Sequence, residues 1–294
     1  MPFVNDNRSP ILKKLLGIVS GVGASQVAVL KIPPGATYAD LTIKMNIGAG
    51  VATRANIETM LTSWRLTVSG VEKWTLTGKQ LVAIIEFYCT GLIADTGFVT
   101  IPLQRLWMDT QLAQTAPEYG SDGESSMQLE ITQDVTSTIT LMTVTASVDP
   151  VVQELGAHIL MRRLSPSIAS IGKFIYPDLY KSAGDFLYAL HIETAVVANL
   201  TNIALVADEV RVVDFDPAML NQLYLEGPAK RTVQTAKGFV HLDFCRRGFD
   251  SDALPLTMKT LVLELDYVTA APGIVNIIQE IGTRAPTQAG VVRG

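Results

Sequence analysis

The chain has few charged side chains, which make up only 17% of its 294 residues, against 48% hydrophobic residues. This is enough apolar material for two buried cores. So little charge predicts a largely uncharged surface that subunits can bury against one another, and we therefore expect a multimer. The formal net charge is −5, and the basic residues cluster in nothing larger than short pairs. Both features argue against direct binding of nucleic acid, which needs clustered Lys and Arg.

Cysteine and histidine are also scarce. Cys89 and Cys245 fall in apolar helix-like and strand-like contexts, which favour two buried free thiols over a disulfide or a metal site and indicate a reducing compartment. His158, His191 and His241 lie far apart in sequence, and no H-x-H pair occurs. A two-cupin enzyme would need closely spaced histidines with a glutamate in each barrel. There is also no G-x-S-x-G elbow for a hydrolase, so we predict a protein that is not an enzyme and has no cofactor.

Long hydrophobic runs are missing as well. The most apolar stretch, Leu81–Ala94, is too short to cross a bilayer and contains Glu86. The first residues lack the charged start, apolar run and cleavage site of a signal peptide. We therefore expect neither a transmembrane helix nor secretion.

The chain does contain an internal repeat, because the second half repeats the order of elements of the first. The repeated order is a strand, a helix, a strand opening on "GFV", a polar loop and a strand. In the first half these segments are Trp64–Gly70, Thr77–Gly91, Gly97–Arg105 and Met127–Val135. In the second half they are Glu209–Pro217, Ala218–Gly227, Gly238–Arg247 and Met258–Tyr267. The repeat indicates two copies of one β-domain.

Each half offers about eight short strands with turn signals between them, a pattern typical of a sandwich or barrel. Eight strands in two packed sheets form a jelly roll. The sequence therefore predicts an all-β protein of two tandem eight-stranded jelly rolls (a double jelly roll), each with a short helix between strands. We place the jelly rolls at 24–150 and 151–270, between an N-terminal arm at 1–23 and a C-terminal arm at 271–294.

The N-terminal arm shows helical spacing. Ser9-Pro10 is a good helix start, and apolar residues recur from Ile11 to Val19 while Lys13 and Lys14 stand apart from them. This pattern predicts a basic amphipathic helix at Pro10–Ser20. The helix either packs on its own domain or a neighbouring subunit, or touches an anionic membrane surface. The residues that we expect to make this contact are Pro10, Lys13, Lys14, Leu15 and Leu16. In the C-terminal arm, Ile274–Ile281 could dock on a neighbouring subunit.

Two acidic pairs are candidate calcium ligands: Asp122 with Glu124, and Asp250 with Asp252. Loop carboxylates are the hard oxygen ligands that Ca²⁺ prefers, although neither pair has EF-hand spacing, and solvated carboxylates are the alternative. We expect the polar loop at Asp109–Ser126 to be exposed.

Several segments resemble the major capsid proteins of the double jelly-roll lineage, which runs from tailless membrane-containing bacteriophages to adenovirus, and they are most like those of the corticovirus-like phages. The resemblance spans most of the chain. It rests on Val27–Asn46, Ile57–Gly70, Leu160–Ile168 with Phe186–Thr194, and Val210–Gly227 with Leu261–Tyr267. The chain departs from the pattern in a longer acidic loop at Pro117–Ser126 and a longer C-terminal tail.

The resemblance implies a structural protein of the virion capsid, assembled in the host cytoplasm. It also implies homotrimeric, pseudo-hexagonal capsomers that tile an icosahedral shell over an internal membrane, with the N-terminal arm facing that membrane. The implied partners are neighbouring capsomers and the minor capsid, penton or membrane proteins of the virion, and calcium ions could lie at capsomer contacts. The alternative is a trimeric receptor- or carbohydrate-binding spike. The aromatic content of only 7% favours the shell protein.

Overall fold

The computed structural model describes residues 12–48, 50–109, 114, 117–149, 151–226 and 231–283. In the first half the helices are α1 (Arg54–Met60) and α2 (Gly78–Tyr88). The strands of this half are β1 (Leu12–Ile18), β2 (Val27–Ile32), β3 (Thr37–Ile47), β4 (Gly50–Val51), β5 (Leu61–Val68), β6 (Val71–Leu76), β7 (Ile93–Ala94), β8 (Phe98–Pro102), β9 (Tyr119–Gly120), β10 (Met127–Gln133) and β11 (Ile139–Asp149).

The second half contains helix α3 (Pro217–Glu226) and short 3-10 turns at Val197–Asn199, Thr235–Lys237 and Asp250–Asp252. Its strands are β12 (Ile159–Leu164), β13 (Ser167–Ile168), β14 (Gly172–Tyr176), β15 (Phe186–Glu193), β16 (Leu200–Ala207), β17 (Val210–Phe215), β18 (Phe239–Asp243), β19 (Leu254–Pro255), β20 (Leu261–Tyr267), β21 (Gly273–Ile274) and β22 (Asn276–Gly282).

Each half builds two sheets from the same series of strands. The front sheet has the order β1-β11-β3-β8 in the first half, where β7 extends it, and β12-β22-β15-β18 in the second. The back sheet has the order β2-β10-β5-β6 in the first half and β14-β20-β16-β17 in the second. Strands such as β10 and β20 alternate buried and partly exposed residues, as expected for sheets with one face on the core. These eight strands per half, with α2 or α3 between the fifth and the sixth, confirm the predicted double jelly roll.

The strand register makes the internal repeat exact at the level of single residues. In the first half Phe98 of the "GFV" strand pairs with Lys44, and in the second half Phe239 pairs with Glu193. Two residues further along, Thr100 pairs with Thr42 and His241 pairs with His191. Residues at equivalent places in the two halves can therefore be compared directly.

The predicted N-terminal helix is wrong, because Leu12–Ile18 is strand β1. It pairs with β11 from Leu12↔Val148 to Ile18↔Thr143, around an irregularity at Gly17, whose φ is +120°. The apolar residues at 12, 15, 16, 18 and 19 fit helical spacing. The segment is nevertheless a strand, because the backbone N–H and C=O groups along the edge of β11 need hydrogen-bond partners, which a helix would not supply. Pro10 lies outside the described residues. The start of the first jelly roll is therefore part of the segment that we assigned to an arm.

The prediction of a C-terminal arm is also wrong for residues 271–283. Strand β22 lies between β12 and β15 in the second front sheet, and six of its seven residues are buried. Ile274–Ile281 therefore contributes a central strand to its own domain instead of docking on a neighbour. Residues 284–294 lie outside the described part of the chain.

The loop expected to be exposed at Asp109–Ser126 is only partly so. Residues 117–121 are buried, and Tyr119–Gly120 forms a short strand beside β3, whereas 122–126 are mostly exposed. The helices of the described ranges include none with the length and hydropathy that crossing a membrane requires.

Candidate functional site

Helix α2 joins the two jelly rolls. Thr77 caps its first turn and exchanges hydrogen bonds with Gln80 in a capping box. Gly78 lies so close to α1 that an added Cβ would be 2.2 Å from the carbonyl oxygen of Ile57. Ten of the eleven residues of α2 are buried. Packing against the core of the first half alone would not bury so many of them. The reason is that the outer side of α2 lies on the front sheet of the second half.

Polar contacts tie the first turn of α2 to that sheet. Lys79 Nζ lies 3.0 Å from Glu193 Oε1, and Gln80 Nε2 donates to Glu193 Oε2 over 2.8 Å. Asn276 of the neighbouring strand donates to the same oxygen over 2.8 Å. Although burial raises the pKa of Glu193, the hydrogen bonds from Gln80, Lys79 and Asn276 lower it overall. Glu193 therefore stays ionised and fixes the position of the helix.

A pair of buried histidines lies under the last turn of α2. Nδ1 of His191 and Nδ1 of His241 are 2.7 Å apart, so one ring donates to the other. His191 Nε2 is 3.2 Å from Glu280 Oε2, and the ring of Phe87 stacks on His241 with the centroids 4.1 Å apart. Burial, followed by the neighbouring His191, lowers the pKa of His241 well below its usual value. His241 is therefore neutral in the folded protein.

Glu280 connects these histidines to the first half. Tyr88 donates to Glu280 Oε2 over 2.8 Å, and Arg105 Nε lies 3.6 Å from Glu280 Oε1. Arg105 also lies over the ring of Tyr188, 3.7 Å from its centroid. Burial raises the pKa of Glu280, but the hydrogen bond from His191 and the charge of Arg105 outweigh it and lower the pKa. An ion pair between the two halves is thus enclosed at their contact.

This buried cluster supports packing instead of catalysis. Burial raises the pKa of the Cys245 thiol to about 12, so it is not a nucleophile at neutral pH. Cys89 and Cys245 are both free; Cys245 is buried as predicted, whereas Cys89 is only half-buried. In the ranges that the structure describes, no group of three or more His, Cys, Asp or Glu side chains is arranged to hold a metal ion.

Sequence reasoning missed the cluster. Each histidine lies on its own strand, and only the strand register places His191 opposite His241. The internal repeat contains a signal that could have found it. Aligning "GFVT" with "GFVH" places His241 at the position of Thr100. Because Thr100 pairs with Thr42 of the long strand β3, the equivalent pairing with β15 places His241 opposite His191.

The residues predicted for membrane or subunit contact lie on the edge strand β1. Lys13 lies 3.6 Å from Asp40 and donates to Ser147 of β11. Lys14 is exposed, Leu15 is 67% exposed and Leu16 is half-buried. These side chains are accessible to a partner, on a strand instead of a helix.

The calcium candidates lie on two separate loops. Asp122 is exposed, and Glu124 accepts a hydrogen bond from Ser69. Asp252 accepts hydrogen bonds from Arg247, with Nε 2.8 Å from Oδ2. A calcium ion at Asp250 and Asp252 would have to compete with the Arg247 guanidinium, and calcium binding at either pair stays a prediction.

Comparison with known proteins identifies the family. The model of the viral coat protein P2 N-terminal domain matches residues 13–149, and that of the P2 C-terminal domain matches residues 160–283. The chain belongs to the P2 viral coat protein family. This coat protein has a structural, non-enzymatic role in the virion capsid, where it contacts other capsid subunits, and its predicted membership of the double jelly-roll capsid lineage is confirmed.

Solved structures agree with the fold of the coat protein. The major capsid protein P2 of bacteriophage PM2 is similar with a TM-score of 0.79 and 17% identity, over 95% of this chain and 100% of that chain. The STIV major capsid protein is similar with a TM-score of 0.67 and 11% identity, over 94% and 97%. The Faustovirus major capsid protein has a TM-score of 0.59 and 6% identity, over 97% and 92%. No match was found among curated proteins.

Proposed function

We propose that three copies of this coat protein form a pseudo-hexagonal capsomer, and that these capsomers tile an icosahedral shell over an internal membrane. The observation that carries the proposal is the pair of equivalent jelly rolls in one chain. Three such chains present six similar barrels around a threefold axis, and six barrels fill a hexagonal position of a facet. Heterologous contacts that repeat around the axis close such a ring.

The surface supports assembly. Apolar side chains more than half exposed occur in both halves; they include Leu12, Leu15, Ile18, Val71, Val135, Ile171, Ile175, Val210, Met219, Leu225 and Ile274. Scattered single residues of this kind are normal, but a shell subunit has neighbours on several sides that can bury them.

The test is the mass and shape of the purified coat protein. We expect sedimentation equilibrium to give three times the chain mass of 31.8 kDa. We expect negative-stain images to show particles with six lobes around a threefold axis. A chain that remains monomeric at all protein and salt concentrations would contradict the proposal.

The contact with an internal membrane is a separate part of the proposal. It is supported by the exposed Leu12 and Lys14 of β1, which lie two residues apart on the same face of the strand and together offer apolar surface and positive charge. We expect the trimer to float with vesicles that contain phosphatidylserine and to release them in high salt. Equal flotation of the Lys14→Glu variant would contradict the assignment of these residues. Minor capsid, penton and membrane proteins of the virion are the further partners that we propose.

A further inference from the structure

The two front sheets differ in how their outer faces are covered. In the second half the strands β18 and β22 are buried on both faces, because α2 lies on the outer one. In the first half the equivalent strands β8 and β11 alternate, and their outer residues are partly exposed. Phe98 and Lys44 on this outer face are exposed. The face defined by Leu15, Thr42, Lys44, Phe98 and Thr100 is called the outer face of the first sheet below.

The two helices α2 and α3 differ in how many of their residues are buried. Each helix begins two residues after the preceding strand ends, with Leu76 followed by Gly78 and Phe215 followed by Pro217. Ten residues of α2 are buried, but only Pro217, Leu220 and Tyr224 of α3 are. The outward side of α3 instead carries Met219 and Leu225, which are 59% and 57% exposed. In α2 the corresponding side is the one that contacts the second half.

The contacts of the first turn of α2 with the second sheet have counterpart positions in the outer face of the first sheet. Gln80 contacts Glu193 and also accepts from Arg163 over 3.5 Å. When the two helices are aligned at their first residues, Gly78 and Pro217, Met219 is the counterpart of Gln80. By the strand register, Lys44 is the counterpart of Glu193, because they pair with Phe98 and Phe239.

The same register pairs Leu15 with Thr145 and Arg163 with Ile278, at equivalent places of their sheets. Leu15 is therefore the counterpart of Arg163. Lys79 lies over the ring of Phe239, 5.5 Å from its centroid, and the counterparts of these two residues are Ala218 and Phe98.

We propose that α3 of one copy packs on the outer face of the first sheet of the next copy, with Met219 against Leu15 and Ala218 against Phe98. This proposal rests on the proposed trimer and names the surface that holds it together. Between chains, these apolar contacts take the place of the polar contacts of the intrachain interface. Both side chains of each apolar contact are exposed in the single chain. The remaining charges are compatible, because the sheet face carries Lys44 whereas α3 contains Glu226 and no Lys or Arg.

The proposed contact is the kind that a ring requires. Within a chain, the helix of the first barrel covers the sheet of the second. If the helix of the second barrel covers the sheet of the first barrel in the next chain, every barrel makes the same kind of contact with its neighbour. Repeated heterologous contacts form a closed ring when the rotation from one barrel to the next closes, and the proposed trimer is such a ring of six barrels.

The experiment is crosslinking between engineered cysteines. Leu15→Cys and Met219→Cys are introduced together in a Cys89→Ser background, since Cys245 is buried. The purified protein is treated with a short bis-maleimide and its mass is read on denaturing gels. We expect covalent species of two and three chains to appear with this pair. The matched control pairs Met219→Cys with Val71→Cys, which is 58% exposed at the start of β6 in the back sheet, and should stay a single chain.

A second measurement uses Met219→Glu, with Val71→Glu as its control. We expect the trimer of Met219→Glu to dissociate at a protein concentration at least tenfold higher than that of Val71→Glu, with the melting temperature of the single chain unchanged in both. Trimers in sedimentation without crosslinking at Leu15 and Met219 would overturn this interface and leave the proposed trimer standing. A single-chain mass for the unsubstituted protein would overturn the trimer itself, and this interface with it.

Discussion

His241 shows how one residue acquires its properties from packing. On its strand it is an ordinary member of an apolar run, "FVHLD". In the folded chain it is covered by Phe87 on one side and faces His191, with Phe239 also stacked at 5.8 Å between centroids. A neutral imidazole is stable in such surroundings, whereas a charged one would lack water and stand beside a second histidine.

This neutrality predicts loss of stability in acid. In the unfolded chain His241 takes up a proton below its usual pKa near 6.5, whereas the folded chain holds it neutral. Its contribution to stability is therefore fully present above pH 6.5 and is lost as the pH falls below that value, at about 1.4 kcal/mol per pH unit and proton. We expect urea titrations between pH 7 and pH 5 to show this loss, and His241→Asn to have a smaller slope. An equal slope in the variant would contradict the assignment.

At the scale of elements, the central strands and helices could be predicted from sequence, and the edge of each front sheet could not. Alternation in β10 and the capping residues Thr77 and Gln80 are local signals. Strand β1 instead depends on β11, which lies more than 120 residues away, and its apolar spacing fits a helix equally well. The sequence predicts an arm in place of strand β22 because Ala271-Pro272-Gly273 precedes it and the polar tail "GTRAPTQAGVVRG" follows. Its Glu280 is paired with His191 in its own sheet and with Arg105 and Tyr88 of the first half, and these contacts join distant parts of the sequence.

Helix α2 depends on one glycine for its position. A Cβ at Gly78 would lie 2.2 Å from the carbonyl oxygen of Ile57 and 2.7 Å from that of Leu61, both backbone atoms. Gly78→Ala must therefore move α2 away from α1, although alanine is otherwise better in a helix by about 1 kcal/mol. We expect a clear loss of unfolding free energy in urea for Gly78→Ala. Gly156→Ala, where the nearest atom is 4.0 Å away, is the control and should be nearly neutral.

At the scale of the whole molecule, the enclosed contact makes the two jelly rolls one unfolding unit. We expect a single calorimetric transition for the chain. Glu280→Ala would remove the carboxylate that pairs with Arg105 and accepts from Tyr88 in a site shielded from water, and we expect it to cost about 3–5 kcal/mol. Asp214→Ala removes an exposed partner of Arg211 and should change the transition little. Two separate transitions in the unsubstituted chain would contradict this view.

The sequence indicated the double jelly roll because the repeat, the turns and the alternation of strands are local patterns. It did not indicate the contact between the barrels, because that contact joins Glu280 to Arg105 and Gln80 to Glu193 across large sequence separations. The outer faces of the two sheets differ for the same reason. Thr42 and His191 occupy equivalent places, but only the second is covered by a helix.

The pairing of first and last strands has a consequence for the origin of the molecule. Leu12 lies opposite Val148, and Ile159 lies opposite Gly282, so the two ends of each barrel are side by side. A gene for a single barrel could be copied head to tail with only a short join, because the last strand of a barrel lies beside the strand with which the barrel begins. Each copy would keep all its strand pairs, and the outer faces of the two front sheets could then diverge.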